Sequence, residues 1–222
     1  MTHRNEWMPE ELHDYTIAIG PPLDDVARDL IAETGERFPG PAQIQIPPEQ
    51  SGFLTLVTQL VGARSALEVG TFTGFSSLAI ARGLPADGRL LCLDVNEEWT
   101  SVAQRYWERA GVADRIDLRI GPALDSLRAL PAEPFLDLVF LDADKENYLA
   151  YWEELVPRVR PGGVLLVDNV FFHLSVLEEA PTRPGGAAVK AFNRRVRDDP
   201  RVTHAVLPLG DGVTMARRVS SE

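Results

Sequence analysis

Two short apolar runs in this chain end abruptly on side chains that carry oxygen ligands. Val139–Leu141 is followed directly by Asp142, and Val164–Val167 by Asp168 and Asn169. Apolar runs of this length, bounded by polar residues and glycine, are typical of strands buried on both faces of a parallel sheet. If the two strands are neighbours, the three polar side chains meet at the carboxyl edge of the sheet, where open α/β sheets bind ligands. Two carboxylates and an amide oxygen suit a hard cation such as Mg²⁺ or Ca²⁺.

Lys145 follows Asp142 by three positions, in a chain whose positive charges are otherwise nearly all arginine. Of the 22 basic residues, the lysines are Lys145 and Lys190. A lysine amine can act as a base when its surroundings lower its pKa, whereas arginine stays protonated. Lys145 is therefore a candidate proton acceptor, and the alternative is a solvated lysine at the start of a helix.

A glycine-bearing turn follows another candidate strand, Ser65–Val69, and precedes a helix. The spacing of Gly70 and Gly74 fits neither the dinucleotide motif nor the phosphate loop, which continues with Gly-Lys-Ser/Thr. Glycines in such a turn allow positive φ angles and a close approach of the backbone to a ligand. Asp94 ends the next strand, where a carboxylate can accept both hydroxyls of a ribose. The glycine turn and Asp94 together indicate a nucleoside ligand, and the glycine spacing favours adenosylmethionine over NAD. Either feature by itself could be an ordinary turn or an ordinary surface acid.

Strands and helices alternate from Ser65 onward, which predicts a doubly wound α/β sheet with right-handed crossovers. The predicted strands are Ser65–Val69, Arg89–Val95, Ile116–Ile120, Leu136–Leu141 and Gly163–Val167. The helices expected between them are Ser76–Gly83, Thr100–Ala110, Leu124–Leu130 and Tyr148–Val159. Periodicity predicts earlier helices at Leu23–Thr34 and Glu49–Val61 and a later one at Ala187–Asp198. The chain then ends in a hairpin of Thr203–Leu207 and Gly212–Arg217.

The composition is that of an ordinary globular protein. The chain has 222 residues, 45% of them apolar and 25% charged. Its longest apolar stretches are strand-sized, and its amino terminus begins no apolar signal segment, so no membrane association is expected. The net charge of −11 argues against general electrostatic binding of nucleic acid. It does not exclude local binding at a basic patch around Arg194, Arg195 and Arg197. The single cysteine, Cys92, lies in an apolar run without an internal disulfide partner, which fits a reducing cytoplasm.

In its ordered set of motifs, the chain resembles the cation-dependent class I O-methyltransferases, the family of caffeoyl-CoA and catechol O-methyltransferases. The resemblance extends from Gln43–Ile46 to the hairpin near Met215. It rests on Leu67–Ser76, Asp94, Gly121–Ala123, Asp142–Lys145 with Tyr148, and Gly162–Gly163 leading to Asp168–Asn169. The fold it implies is one Rossmann-like methyltransferase domain, 1–222, with a mostly parallel seven-stranded sheet. Residues 63–222 would form its core, and 1–62 a helical cap that serves substrate binding and dimer contact.

The resemblance also implies the roles of individual residues. Asp94 would hold the ribose of S-adenosylmethionine, Ala123 would lie by the adenine, and Ser76 near the methionine end. Asp142, Asp168 and Asn169 would be the ligands of Mg²⁺, or of another divalent cation such as Ca²⁺ or Mn²⁺, and Lys145 with Asp142 the catalytic pair. The cofactor pocket implied in this way consists of Ile44, Ile46, Glu68, Gly70, Thr71, Ser76, Asp94, Ala123 and Asp142. The expected reaction is Mg²⁺-dependent methylation of a small catechol-like or other vicinal-dihydroxy aromatic acceptor by a cytoplasmic homodimer.

The chain departs from the better-known members where the acceptor would bind. It continues with Val170–His173 after the implied metal ligands, where plant enzymes usually have a Trp-Gly type loop, and Ile46 replaces a hydroxyl residue. The acceptor therefore stays open, and His173 is either an acceptor contact or an ordinary loop histidine. Two other interpretations remain. A tRNA hydroxyuridine O-methyltransferase is disfavoured by the acidic charge, and a non-catalytic module that binds adenosylmethionine or NAD would need no metal site.

Overall fold

The computed structural model describes residues 8–220, and its strands form one seven-stranded sheet in the order β3-β2-β1-β4-β5-β7-β6. Strands β1 to β5 pair in parallel, and β7 runs antiparallel to both β5 and β6. The strands are β1 Ser65–Val69, β2 Arg89–Asp94, β3 Ile116–Ile120, β4 Leu136–Leu141, β5 Val159–Val167, β6 Val202–Leu207 and β7 Val213–Arg218. The predicted doubly wound fold with its antiparallel hairpin is confirmed.

Helices cover both faces of the sheet. They are α1 Glu10–Ile19, α2 Asp25–Arg37, α3 Pro48–Val61, α4 Phe75–Gly83, α5 Glu97–Arg109, α6 Ala123–Arg128, α7 Tyr148–Leu155 and α8 Gly186–Arg197. Two of them begin at side-chain caps: Asp24 accepts the amide of Ala27 at α2, and Asn96 accepts the amide of Trp99 at α5. Such caps satisfy amides that have no partner within the helix.

The strands supply two hydrophobic cores because successive side chains point to opposite faces. Leu138 and Phe140 of β4 pack with helices α2 to α5, whereas Val139 and Leu141 pack with α6 to α8. Both faces of β4 are buried, which explains why its sequence is continuously apolar. Cys92 of β2 is fully buried in the first core, as expected, and burial raises the pKa of its thiol well above the ordinary value.

Most element boundaries differ from the predictions by a few residues, and two differ for a clear reason. Helix α7 ends at Leu155 instead of continuing to Val159, because the 3₁₀ turn Val156–Arg158, with its proline, leads directly into β5. Strand β5 therefore begins at Val159, which pairs with Leu136, rather than at Gly163. Helix α2 continues past Gly35, since a glycine inside a helix costs only about 1 kcal/mol relative to alanine.

Helix α1 was not delimited by the periodicity, and it packs against α3. No helix within residues 8–220 has both the length and the apolar content that crossing a membrane would require.

The strand order reverses between β1 and β4, which are adjacent in the sheet although β2 and β3 separate them in the chain. Ligands of open α/β sheets bind beside the carboxyl ends of the strands at such a point. The glycine turn after β1 and Asp142 after β4 meet there.

Candidate active site

A cavity of about 570 Å³ opens at the carboxyl ends of β1, β2, β4 and β5. Clefts of this size accommodate small-molecule ligands. We call the part bordered by Gly70, Asp94 and Ala123 the glycine-turn half. The part bordered by Asp142, Asn169 and His173 is the carboxylate half. Residues predicted from two separate motifs thus border one continuous space.

The two glycines of the turn have positive φ for different reasons. Gly70 has φ +90° and borders the cavity, and a Cβ there would collide with the backbone carbonyl of Asp142. Gly74 has φ +86° and precedes α4, where a Cβ would meet Ala103 and the indole nitrogen of Trp107. Gly70 therefore brings the ends of β1 and β4 together, while Gly74 admits helix α5 rather than a ligand.

Asp94 organises the backbone of the glycine turn. Its Oδ2 accepts the amides of Thr71 at 2.9 Å and Phe72 at 2.8 Å, and its Oδ1 accepts the amide of Asn96 at 2.8 Å. An ionised carboxylate offers about four lone-pair sites, so Asp94 retains acceptor capacity toward the cavity that it borders. That capacity suits the hydroxyls of a ribose.

Apolar side chains form the walls beside Asp94. Phe72 and Trp99 make an edge-to-face contact with ring centroids 5.0 Å apart, and both border the cavity. Ala123, at the first turn of α6, borders it too, as do Ile44 and Ile46. A flat, largely apolar ring fits between such walls, which is what an adenine requires. The glycine-turn half therefore fits an adenosine-containing cofactor.

Glu68 lies beneath the glycine turn and does not border the cavity, although Thr71 and Ser76 do. It is fully buried in β1 and accepts a weak hydrogen bond from the Cys92 thiol at 3.5 Å. Burial raises the pKa of Glu68 to about 8. From this position, Glu68 acts on the pocket through the residues above it.

The predicted metal ligands lie on adjacent strands. Leu141 of β4 pairs with Val167 of β5, so the next residues, Asp142 and Asp168, meet at the carboxyl edge of the sheet. Asn169 adopts φ +55°, a left-handed conformation that asparagine tolerates better than most residues. Asp142 and Asn169 border the cavity, whereas Asp168 is 3% exposed and lies behind them.

The surroundings of Asp168 test whether these residues suit a cation. Its Oδ2 accepts a hydrogen bond from Gln50 Nε2 at 2.8 Å, and its Oδ1 accepts the amide of Asn169 at 2.7 Å. Burial, and then the negative charge of Asp142, raise the pKa of Asp168 to about 7. A divalent cation between the two carboxylates would relieve that repulsion. Within residues 8–220, no cluster of three or more His, Cys, Asp or Glu side chains has metal-binding geometry, and the set here combines two carboxylates with an amide.

Lys145 connects the carboxylate half into a network. Its Nζ donates to Asp142 Oδ1 at 3.0 Å and to the Tyr148 hydroxyl at 2.5 Å. Tyr148 in turn donates to the backbone carbonyl of Asp168 at 3.1 Å, and burial raises the pKa of its hydroxyl well above the ordinary value. In this arrangement, Lys145 is an ion-paired donor at the edge of the cavity.

The far side of the carboxylate half is aromatic and polar. Phe172 and His173 border it after β5, and Asn147 and Tyr151 border it from α7 and the turn before it. The Tyr151 hydroxyl donates to Asp144 Oδ1 at 2.6 Å, and burial, followed by this bond, raises its pKa. This side therefore offers aromatic rings and polar groups to a ligand in the carboxylate half.

Sequence reasoning missed Gln50 and assigned no role to Tyr148. A signal for Gln50 does exist: it occupies the same face of α3 as the buried residues Leu54, Val57 and Thr58. A polar residue on an apolar face must find a hydrogen-bond partner. Its partner, Asp168, is 118 positions away in the chain.

Known proteins share both the sequence and the fold. The family model described as O-methyltransferase matches residues 23–219. Caffeoyl-CoA O-methyltransferase 1 of Arabidopsis thaliana is 35% identical, covering 98% of this chain and 88% of that protein. The O-methyltransferase of Bacillus cereus, solved in complex with S-adenosylhomocysteine, is 32% identical with a TM-score of 0.84, covering 94% and 97% of the two chains.

A further solved relative is the O-methyltransferase TomG of Streptomyces achromogenes, involved in tomaymycin synthesis and solved in complex with S-adenosylmethionine. It is 29% identical with a TM-score of 0.86, covering 96% of this chain and 100% of that one.

Proposed function

Since this chain belongs to the O-methyltransferase family and is an S-adenosylmethionine-dependent O-methyltransferase, we propose that it methylates one hydroxyl of a small catechol-like or other vicinal-dihydroxy aromatic acceptor with the help of Mg²⁺. One observation carries this proposal: the glycine-turn half and the carboxylate half share one cavity. A methyl donor bound in the first and a hydroxyl bound in the second would meet within it. Positioning of this kind supplies much of the rate in two-substrate reactions.

In the glycine-turn half, Asp94 accepts the ribose hydroxyls, and Ala123 lies beside the adenine. Ser76 is assigned to the methionine end of the cofactor. The remaining wall residues, Ile44, Ile46, Gly70 and Thr71, border the same part of the cavity. Glu68 supports this half from below rather than through contact with the cofactor.

In the carboxylate half, Asp142, Asp168 and Asn169 are proposed to hold the divalent cation. Mg²⁺ keeps several of its positions for water or substrate oxygens. When bound, it would make a coordinated hydroxyl more acidic and orient it. Two adjacent hydroxyls on an aromatic ring match such a site better than a single hydroxyl does.

Lys145 is proposed to accept or relay the proton that leaves the acceptor hydroxyl. Its Nζ lies 3.0 Å from Asp142 and at the edge of the cavity. This ion pair keeps the amine beside Asp142, next to the place proposed for the acceptor hydroxyl. The Tyr148 hydroxyl holds the amine in place from the other side.

We also expect the enzyme to be a cytoplasmic homodimer that pairs through its amino-terminal helices. Leu12 and Tyr15 on α1, and Leu56 and Leu60 on α3, each expose more than half of their surface. Large exposed apolar side chains on two neighbouring helices are a feature that favours association. Sedimentation of the purified chain, with Leu60→Glu as the variant that should weaken pairing, tests this expectation.

The central test is methyl transfer from S-adenosylmethionine over catechols, hydroxycinnamoyl thioesters and bulk tRNA, with Mg²⁺ and with a chelator. We expect methylated catechol only when Mg²⁺ is present. Asp168→Ala should lower the rate by about 100-fold, since residues that only orient metal ligands already contribute about 10–100-fold and a direct ligand should reach the upper end of that range. Binding of S-adenosylhomocysteine should change little.

Asp114→Ala is the matched control, because Asp114 exposes 79% of its side chain and lies outside the cavity. It should keep the activity of the unaltered enzyme. Full Mg²⁺-stimulated methylation by Asp168→Ala would refute the metal assignment, and labelled tRNA without labelled catechol would refute the acceptor.

A further inference from the structure

The chain takes an unusual path immediately after the proposed metal ligands. Phe172, His173 and Leu174 have φ values of +46°, +54° and +60°. Left-handed conformations are uncommon for residues with a Cβ, and a run of them persists only where surrounding contacts impose it. The contacts that impose it here should therefore be identifiable.

The turn of the β6–β7 hairpin provides these contacts. The carboxylate of Asp211 accepts the amide of His173 with both oxygens, each at 3.0 Å. The backbone carbonyl of Asp211 accepts the amide of Phe171 at 2.9 Å, and that of Gly212 accepts the amide of Val170 at 3.0 Å. Three of the four amides that follow Asn169 are thus bonded to two residues of one turn.

The glycines of the same turn allow it to lie close to its neighbours. Gly212 has φ +85°, and a Cβ there would press into the ring of Phe171 at 2.6 Å. Gly210 has φ +55°, and a Cβ there would meet Gln50 Oε1 at 2.6 Å. The sequence Gly210-Asp211-Gly212 therefore allows the turn to lie close to both the loop and α3.

The segment held in this way forms one wall of the carboxylate half. Phe172 and His173 border the cavity, as does Lys145. The ring of Phe172 and Cβ of Lys145 lie on the same side of Gly185, since a Cβ built there would contact both at 3.2 Å. Asp211 itself is half-buried and does not border the cavity.

We propose that Asp211 is a positioning residue that sets the affinity and selectivity for the methyl acceptor by holding Phe172 and His173 in their left-handed conformation. This inference rests on the proposed function, because it assigns the acceptor to the carboxylate half. Asp211 acts through the backbone of His173, which borders the carboxylate half of the cavity. Its removal should therefore change acceptor binding and leave cofactor binding unaltered.

The test compares Asp211→Ala and Asp211→Asn with the unaltered enzyme. Asp211→Ala should raise KM for the preferred catechol about tenfold, because a charged hydrogen bond and the geometry it fixes are both lost. It should also change the ratio of kcat/KM between a small and a larger catechol. KM for S-adenosylmethionine should stay within about twofold. Asp211→Asn keeps one carbonyl oxygen as acceptor and should restore most of the affinity.

Amide hydrogen exchange supplies a readout that needs no acceptor. The amides of residues 170–174 should exchange faster in Asp211→Ala than in the unaltered protein, while those of the glycine turn should not change. Asp114→Asn is the matched control for both measurements and should alter neither.

Several outcomes would overturn the proposal. Unchanged exchange at residues 170–174 would show that Asp211 does not hold the segment. Faster exchange with an unchanged KM and selectivity, or an equal rise in KM for both substrates, would show that its role is structural only. If the unaltered enzyme methylates no catechol, the proposed acceptor is wrong, while the exchange experiment still decides whether Asp211 holds the wall.

Discussion

The two halves of the cavity are built in different ways. In the glycine-turn half, a five-residue strand, a turn and one acid form the backbone frame, and the hydrogen bonds of that acid run to residues close to the sheet. In the carboxylate half, the wall is a segment of left-handed residues held by a hairpin turn from the far end of the chain. The first design fixes one shape. The second allows the wall to change while the proposed metal ligands, which follow strand ends, stay in place.

Substitution of Gly70 should have the largest effect on the glycine-turn half. Gly70→Ala would force a Cβ into the carbonyl of Asp142 at φ +90°. We expect a loss of about 2–5 kcal/mol in the free energy of unfolding, combining left-handed strain with overpacking. Thermal unfolding and titration with S-adenosylhomocysteine measure it. Gly111→Ala is the matched control, because Gly111 has φ +67° with nothing within 4 Å of a Cβ, and it should lose only about 1–2 kcal/mol. Equal losses would show that the close approach does not matter.

Asp94 tests whether the glycine-turn half works as one unit. Asp94→Ala leaves the amides of Thr71 and Phe72 without their acceptor, and it removes the proposed partner of the ribose. We expect the Kd for S-adenosylhomocysteine to rise about 100-fold, since hydrogen bonds to charged groups contribute about 1.5–3 kcal/mol each. Calorimetry measures the change. Asp117→Ala, on the neighbouring strand with 69% of its side chain exposed, should bind normally. A change below threefold for Asp94→Ala would contradict its role.

The buried carboxyl of Glu68, beneath the glycine turn, should make the stability of the protein depend on pH. Burial raises its pKa from 4.5 to about 8, so the folded protein holds this proton more tightly than the unfolded chain. The stability it contributes is complete below pH 4.5 and is lost as pH rises toward 8. Glu68→Gln removes this dependence. Its free energy of unfolding, relative to the unaltered protein, should therefore rise by about 1.4 kcal/mol per pH unit over this window.

Chemical denaturation at several pH values measures that difference. Glu108→Gln, at an exposed position of α5, is the control and should show the same pH dependence as the unaltered protein. A constant difference between Glu68→Gln and the unaltered protein would show that the buried carboxyl does not titrate in this range.

Gln50 gives the smallest expected effect and tests the carboxylate half. Gln50→Leu removes the amide that donates to Asp168 Oδ2 at 2.8 Å. We expect affinity for Mn²⁺, used as a paramagnetic substitute for Mg²⁺, to fall about tenfold, because residues that orient metal ligands typically contribute this much. Gln59→Leu, at an exposed position on the same helix, should bind Mn²⁺ normally. Equal affinities for the two variants would refute the role of Gln50.

The parts of the site that could be predicted depend on local sequence. Asp142, Asp168 and Asn169 follow apolar runs, and the parallel pairing of β4 and β5 brings them together without any further information. Gly70 and Asp94 are likewise set by strand ends. Gln50 and Asp211 could not be assigned roles in this way, because their partners lie 118 and 38 positions away. Their contacts depend on how α3 and the hairpin pack against the sheet. The path of residues 170–174 depends in the same way on contacts with the hairpin turn.

The close approach of Gly70 to the backbone carbonyl of Asp142 fixes the distance between the ends of β1 and β4. It ties the turn proposed to receive the methyl donor to the strand end proposed to receive the acceptor, so the sheet sets the spacing between the two halves of the cavity. Enzyme engineers who want a new acceptor should accordingly leave both strand ends untouched and exchange residues 170–186 together with the hairpin turn that supports them. The loop and its supporting turn are thus the part that can be exchanged, while the paired ends of β4 and β5 keep the proposed metal ligands together.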